Sequence, residues 1–123
     1  MTTTTKGVRA IVTGTGFDGR AQRIRRFCQK GAPVELRREP NNQHDKDAIA
    51  VYMRCSMLFG LWKPWAQIGY IKASRADGLA PKIDSGAYTV QRAHVHSFDA
   101  YPGLEHPRVS IQIDFNVRDS AAP

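Results

Sequence analysis

Apolar and polar residues alternate with a period of two in several short stretches of the chain, a pattern typical of half-buried β-strands. Glycine, proline and asparagine residues separate these stretches and favour turns between them. The pattern predicts strands at residues 8–12, 34–38, 48–53, 66–71, 88–96 and 108–115. Six short strands in a chain of 123 residues predict one mainly β domain, a small barrel or open sandwich.

Two segments depart from this alternation. Residues 73–83 repeat apolar side chains at helical spacing, with Ser74 as a candidate N-cap. Pro81 lies late in this segment and is expected to shorten or kink the helix. Residues 17–30 suit either a helical turn or an irregular loop. One or two short helices are therefore expected beside the strands.

The pattern also divides the chain into parts. We expect a flexible N-terminal tail at residues 1–7, one folded domain at 8–117 and a C-terminal tail at 118–123. Within the domain, residues 57–65 form an apolar run interrupted by Gly60 and Pro64, which predicts a hairpin insert. The insert either folds back over the barrel as extra core or presents its tryptophans to a protein partner.

Charge adds a candidate ligand to this picture. The chain has 18 Lys and Arg against 11 Asp and Glu, with a pI near 9.9, and twelve of the basic residues are arginines. Guanidinium groups pair with phosphate and stack on bases, so this composition favours a nucleic-acid partner. Many small basic proteins bind nothing specific, so charge alone leaves that alternative open.

The basic residues are concentrated between Arg20 and Arg38. This segment holds seven basic residues and the single acid Glu35, so a phosphate strand would release counterions on binding there. A solvated, charged strand edge is the alternative interpretation. The loop that follows, Glu39 to Asp45, offers two asparagine amides beside the arginines; these amides either bind phosphate and base edges or cap their own backbone.

Three segments of the chain resemble the HIRAN domain family. They are REPNNQHDKDAIAV from Arg38 to Val51, IGYI from Ile68 to Ile71 and ADGLA from Ala76 to Ala80, within a likeness that spans about residues 8–115. The resemblance implies a modified OB-like or SH3-like barrel of about six strands with two helices. It also implies DNA binding. One member is the N-terminal domain of helicase-like transcription factor, a fork-remodelling ATPase, where it captures the free 3′ end of single-stranded DNA; others stand alone in bacterial proteins.

A candidate nucleic-acid site follows from the resemblance and from the basic segment together. His44 stands where end-binding members carry a stacking tyrosine, and Tyr70 stands where they carry histidine. Gly16 occupies the place of an expected basic residue, for which Arg20 is the candidate substitute. The candidate residues are Phe17, Arg20, Arg37, Arg38, Asn41, Asn42, His44, Asp45, Tyr70, Lys72 and Phe98.

The sequence therefore predicts a module that binds single-stranded DNA at or near a 3′ end, in DNA repair or replication-fork processing. A helicase or a nuclease is the expected protein partner. The alternative is a protein-interaction or self-assembly domain that uses Trp62 and Trp65 of the insert. We expect a cytoplasmic protein without a membrane span, associated with the nucleoid if the source is bacterial.

No known catalytic motif is present, so we expect a binding module and not an enzyme. Asp45 and Asp47 form the one close pair of acids, and a magnesium-dependent nuclease would require a third acid and a lysine in register. Cys28 and Cys55 lack zinc-ligand spacing, and a disulfide between them stays open. We expect no cofactor and no bound metal.

Overall fold

The computed structural model describes residues 3–118 of the chain. All paired strands are antiparallel, and their order in the sheet is β2-β3-β4-β1-β6-β5. The elements in chain order are β1 (Thr3–Thr13), α1 (Arg20–Phe27), β2 (Val34–Arg38), β3 (Ile49–Arg54), β4 (Trp65–Ile71), α2 (Ala73–Asp84), β5 (Tyr88–Asp99) and β6 (Arg108–Arg118).

The two edge strands of this sheet curl round and meet. The backbone N–H of Gly31 donates to the oxygen of Val95 at 2.8 Å, and the N–H of Val95 donates to the oxygen of Ala32 at 2.9 Å. An isolated antiparallel bridge joins Pro33 to His94 at the same seam. Two register shifts in β5 add the local bend that this closure requires. The predicted six-stranded, OB-like barrel with two helices is confirmed.

The core follows the period-two pattern of the sequence. Along β6, every second side chain from Val109 to Phe115 is buried, and Phe115 is fully enclosed. Helix α1 contributes Ile24, which is also fully buried. Helix α2 covers the barrel with Ala76, Leu79 and Ala80. Both helices therefore act as lids on one continuous hydrophobic core.

Gly69 fixes how closely β4 approaches β1. A Cβ atom at this position would clash with the carbonyl oxygen of Thr13 and lie 2.7 Å from Cγ1 of Val12. The two strands pair only at Val12 with Ile71 and Thr13 with Tyr70. A glycine is thus required where β4 passes nearest to the end of β1.

The N-terminal boundary differs from the sequence prediction. Residues from Thr3 onward belong to β1 and pair with β6, from Thr3 opposite Arg118 to Val12 opposite Val109. The polar Thr3–Gly7 stretch, expected to be a tail, is held by its long backbone ladder with β6. Arg118, assigned to the C-terminal tail, ends β6, and residues 1–2 and 119–123 lie outside the described part of the chain.

Helix α2 also differs in its details. Its N-cap is Lys72 and makes no side-chain capping bond, so the predicted role of Ser74 as N-cap is wrong. Pro81 lies inside the helix, which continues to Asp84. Leu79 and Ala80 are buried just before Pro81, and Ile83 in the last turn packs against the core, which outweighs the hydrogen bond that proline cannot donate.

The insert between β3 and β4 projects from the barrel. Met57 and Trp62 close a tight hairpin, with Met57 N–H to Trp62 O at 2.7 Å and Trp62 N–H to Met57 O at 3.1 Å. At its tip, Leu58 and Phe59 adopt left-handed backbone angles. The exposed fractions are 65% for Leu58, 107% for Phe59, 89% for Leu61 and 56% for Trp62. The insert is therefore an exposed apolar hairpin, and the alternative of extra core is wrong.

The cysteines are structural. Cys28 and Cys55 are both free thiols, and both are buried. Burial raises the pKa of the Cys28 thiol to about 12, so it stays protonated and unreactive at neutral pH. Among the described residues, no helix is long and apolar enough to cross a membrane.

Candidate nucleic-acid interface

A groove of about 530 Å³ opens at the end of the barrel where β1 ends and β6 begins. Three segments far apart in sequence form its walls: the end of β1 with the following loop, the end of β5, and the start of β6. Its lining residues are Ile11, Val12, Thr13, Gly14, Thr15, Phe17, Ser97, Phe98, Asp99, His106, Pro107, Arg108, Val109 and Ser110.

Two predicted site residues, Phe17 and Phe98, lie in this groove. Phe17 is 63% exposed on the loop after β1, whereas Phe98 is half-buried and packs against the core. Asp18 and Gly19 take left-handed backbone angles directly after Phe17, and this turn holds its ring at the surface. Exposed aromatic faces on a rigid frame are suited to stacking with nucleic-acid bases.

The walls of the groove are tied together by hydrogen bonds across the fold. The buried hydroxyl of Thr15 donates to the oxygen of Pro107 at 2.6 Å. Arg25 of α1 donates to the oxygen of Leu104 at 2.9 Å, which anchors the loop between β5 and β6. Gly16 packs against His106, because a Cβ at position 16 would lie 2.6 Å from Cε1 of the imidazole. His106 thus occupies the space that a side chain on residue 16 would need.

Arg20 connects this groove to a second group of predicted residues. Its side chain is 10% exposed, and its Nη1 donates to the oxygen of Gly14 at 2.9 Å. Its guanidinium carbon lies 5.5 Å from the ring centroid of Tyr70. The carboxylate of Asp18 is 3.6 Å away but 82% exposed, and the buried Nε of Arg20 has no partner among the described residues. A largely buried and weakly compensated positive charge therefore lies behind Gly14, a residue of the groove wall.

Tyr70 and Asn42 converge on one carboxylate. The Tyr70 hydroxyl donates to Oε1 of Glu39 at 2.9 Å, and Nδ2 of Asn42 donates to the same oxygen at 3.0 Å. Because Tyr70 pairs with Thr13, this cluster adjoins the groove. The structure therefore places Arg20 beside the Tyr70 ring, with its backbone N–H bonded to the oxygen of Phe17, and Glu39 is the acceptor that positions the tyrosine.

The loop after β2 uses part of its polar chemistry internally. Oδ1 of Asn42 accepts bonds from the backbone N–H of His44 at 2.8 Å and of Asp45 at 3.0 Å. Oδ1 of Asp45 accepts the N–H of Asp47 at 2.9 Å. Asn42 and Asp45 thus cap their own loop, as the alternative interpretation expected. Asn41 and His44 are exposed, and within the described part of the chain their side chains make no hydrogen bond.

Arg37 and Arg38 do not act as a pair. Successive side chains on a strand point to opposite faces, so the two guanidinium groups separate. Arg37 is exposed, bonded to Glu35 at 2.9 Å and stacked 3.8 Å from the Tyr52 ring centroid. Arg38 is 13% exposed and bound within the protein. The hypothesis that both flank the asparagines is therefore wrong in its geometry.

Most other arginines of the basic segment also bind the protein itself. Nη1 of Arg23 donates to the oxygen of Gln67 at 2.8 Å, and Arg26 stacks 5.2 Å from the Phe27 ring centroid.

Lys72 is exposed, and its backbone N–H donates to the oxygen of Ile11, a groove residue, at 2.9 Å. Lys72 thus remains beside the groove with an ammonium group exposed to solvent.

The acids of the loop gain a third neighbour that the sequence did not reveal. Ligand atoms of Asp45, Asp47 and Asp77 lie within 4.8 Å of one another. Asp77 comes from α2, so the cluster forms only in the folded chain. Exposed acids often lie together without a metal, and Arg38 is a nearby compensating charge. We assign no metal site to this cluster.

A family model described as the HIRAN domain matches residues 8–117 of the chain. The chain belongs to the HIRAN domain family. HIRAN is a DNA-binding domain in the matched family, so membership supports nucleic-acid binding in general. No curated protein matches this HIRAN domain at a significant level.

Two solved structures share the fold of this HIRAN domain. The crystal structure of the HIRAN domain of human HLTF has a TM-score of 0.62 and 22% sequence identity, over 93% of this chain and 78% of that one. A crystal structure of a protein from Lactobacillus plantarum has a TM-score of 0.65 and 22% identity, over 92% of this chain and 98% of that one. At this level of identity the likeness establishes the fold.

The sequence pattern alone does not mark several of the residues that line the groove. Ile11, which is 54% exposed, and Thr13 look like ordinary strand residues. His106 and Arg108 lie in or beside a loop without a recognisable motif. Their shared location depends on contacts between residues 11–17 and 97–110, and no short-range sequence signal carries such a contact.

Proposed function

We propose that this HIRAN domain binds single-stranded DNA in the groove, at or near a free 3′ end. The observation that carries the proposal is the exposed ring of Phe17 in the groove, with the shielded cation Arg20 bonded to Gly14 of the groove wall. Aromatic rings give sequence-tolerant stacking, and a cation favours the phosphate that follows a stacked base. Phe98 and Ile11 form the apolar floor, whereas Tyr70 and Asn42 border the entrance.

The groove is also suited to a strand terminus. Phe17 and, from the end of the loop after β5, His106 and Pro107 line the groove, and we infer that a chain end enters between them more easily than an uninterrupted strand. His106 and Asp99 supply polar groups at the rim that suit a terminal hydroxyl. A domain of this kind acts in DNA repair or replication-fork processing, where free 3′ ends arise, beside a helicase or a nuclease.

Binding to labelled oligonucleotides tests end recognition directly. We expect a single strand with a free 3′ hydroxyl to bind at least about tenfold more tightly than the same strand with a 3′ phosphate, because the added charge and bulk would displace the end from the polar groups at the rim and add a negative charge beside Asp99. Affinity should fall as salt rises, with a shallow slope, because Arg108 is the one Lys or Arg among the described residues that line the groove. Fluorescence anisotropy with DNA, RNA and duplex in parallel measures both. Equal affinity for free and blocked ends would refute the end-binding part.

The exposed hairpin favours a second candidate function, self-assembly through residues 57–62. Phe59 and Leu61 are almost wholly solvent-exposed, and burying them against a second copy removes apolar area worth about 25 cal/mol per Å². Arg54 stabilises the base of the hairpin: it donates to the oxygen of Lys63 at 3.0 Å and stacks 4.8 Å from the Trp65 ring centroid. The apolar tip is thus presented on a fixed stem.

Light scattering after gel filtration tests this second function. Changing Phe59 and Trp62 together to serine is expected to convert an assembled species into a monomer without loss of DNA affinity, because the hairpin joins the ends of β3 and β4 that lie opposite the groove-side ends. The matched control is Tyr101→Ser, which removes another exposed aromatic outside the hairpin. A wild-type protein that is monomeric at high concentration would rule out self-assembly.

A further inference from the structure

A small recess lies between α2 and β1, outside the groove. It has a volume of about 150 Å³, and its lining includes Lys6, Ser74, Arg75, Gly78, Lys82 and Tyr88. A water molecule occupies about 30 Å³ in the liquid, so the recess admits a group the size of a phosphate. Three of its lining side chains are cations, and none is an acid.

The cations are directed to the recess by secondary structure. Arg75, Gly78 and Lys82 follow one another at spacings of three and four, so they share one face of α2. Gly78 places no side chain between the two basic residues, and a Cβ added there would meet nothing within 4 Å. A glycine in a helix interior costs roughly 0.5–1 kcal/mol relative to alanine, so this opening is maintained against helix propensity.

The ammonium groups of Lys6 and Lys82 both lie over the aromatic ring of Tyr88. Nζ of Lys82 lies 5.0 Å from the ring centroid, and Nζ of Lys6 lies 5.9 Å from it. The ring is buried and packs against Phe115 with centroids 5.1 Å apart, so its position is fixed. Burial raises the pKa of the Tyr88 hydroxyl, but the two ammonium groups outweigh burial and lower it. Two cations thus crowd one phenol ring.

The nearby carboxylates contact residues other than the three cations of the recess. Asp84 of α2 binds Arg38, and Asp114 of β6 lies 3.3 Å from Arg92. Asp77 belongs to the acid cluster with Asp45 and Asp47. Within the described residues, none of the three cations of the recess forms a salt bridge. The recess therefore concentrates positive charge without a counterion from the protein.

We propose that this recess binds a phosphate group, held by Lys6, Arg75 and Lys82 with the hydroxyls of Ser74 and Tyr88 as additional donors. Such charge-assisted bonds are the strong ones, and the ligand relieves repulsion between the crowded cations. The phosphate comes from one of two sources, the backbone of a bound strand or a small phosphorylated molecule. Lys72 bonds to Ile11 of the groove and directly precedes α2, whose Ser74 and Arg75 line the recess, so we infer that a strand leaving the groove past Lys72 leads towards the recess; this first source depends on the proposed function.

Titration of ¹⁵N-labelled protein with inorganic phosphate, at matched ionic strength in sodium chloride, tests the recess by itself. We expect the backbone amide signals of Ser74, Gly78 and Lys82 to shift together. The double variant Lys6→Ala/Lys82→Ala should weaken phosphate binding by roughly tenfold or more. Gly78→Leu should block it while retaining every charge. The control Lys30→Ala/Lys63→Ala removes the same charge from exposed positions and should leave binding unchanged.

A parallel titration with a single-stranded oligonucleotide identifies the source. If the same amide signals shift and the double variant also loses oligonucleotide affinity, the phosphate belongs to the strand. If only inorganic phosphate acts, the ligand is a small phosphorylated molecule. Phosphate shifts that are scattered over the basic surface, or that persist in both recess variants, would overturn the proposal. Failure of all oligonucleotide binding would refute the groove function and leave the phosphate result intact.

Discussion

Replacing Phe17 by alanine should weaken the binding of single-stranded DNA by roughly tenfold or more, because stacking of a base on an aromatic ring contributes about 1–3 kcal/mol. Phe17 is the suitable probe because its ring is 63% exposed and supports little of the core. Phe98→Ala should weaken binding as well, but Phe98 also packs against the core, so its effect combines binding with stability.

Anisotropy titrations at one fixed salt concentration measure the effect of Phe17→Ala, and thermal unfolding confirms that the variant is folded. The matched control is Phe59→Ala, which removes the same side chain from a fully exposed position on the hairpin. We expect this control to bind DNA as the wild type does. If Phe17→Ala retains affinity within a factor of two, the groove is not the site of base stacking.

Arg38→Met should lower the free energy of unfolding by about 1.5–3 kcal/mol, the range expected for hydrogen bonds to a charged group. Arg38 reaches both oxygens of Asp84, with Nε to Oδ1 at 2.8 Å and Nη2 to Oδ2 at 2.9 Å. It also donates to the backbone oxygens of Ala48 at 2.6 Å and Lys46 at 2.9 Å. One largely buried guanidinium thus joins α2 to the loop that follows β2.

Urea denaturation compares this variant with Arg37→Met, its neighbour on the opposite face of β2. Arg37 forms one exposed ion pair and stacks on Tyr52, so its replacement should change stability far less. Both variants lose one positive charge, which matches them electrostatically. Equal stability losses in the two variants would show that Arg38 does not brace the fold.

The ion pair between Arg38 and Asp84 should make the stability of the domain fall in acid. Hydrogen bonds from Arg38 hold the pKa of the Asp84 carboxyl below its ordinary value of 3.8. The folded state therefore binds this proton less readily than the unfolded state does, and stability falls with decreasing pH. The stability that this ion pair contributes is fully present at pH values above 3.8, and it is lost as the pH falls through the lowered pKa of Asp84. The Arg38→Met variant should lack this part of the acid transition.

The strands were predictable from sequence because their alternation is local. Buried and exposed positions along β6 follow a period of two, and such a pattern needs no knowledge of distant partners. Boundaries were less predictable, because Thr3 to Gly7 are polar and become a strand only through the backbone of β6. The segment from Arg20 to Phe27 remained ambiguous because its helix is stabilised chiefly by burying Ile24.

The candidate site was only partly predictable. The resemblance drew attention to Phe17, Phe98 and Tyr70, and the fold places the first two in one groove with the third beside it. The number of arginines between Arg20 and Arg38 overstated how many guanidinium groups are available to bind phosphate. A count of arginines does not reveal that Arg23 and Arg38 are bound to the protein's own carbonyl groups, because those acceptors come from elsewhere in the chain.

The seam at Pro33 and His94 limits how this domain can hold an extended ligand. Along the seam the backbone of residues 31–33 and 94–95 is already paired, so a foreign peptide cannot continue the sheet there by β-augmentation. Beyond the seam the two outer strands separate, and residues 34–36 and 90–93 line a cleft between them. A partner that mimics a seventh strand would be confined to this cleft, whereas a flexible polymer seated in the rim leaves the whole sheet intact.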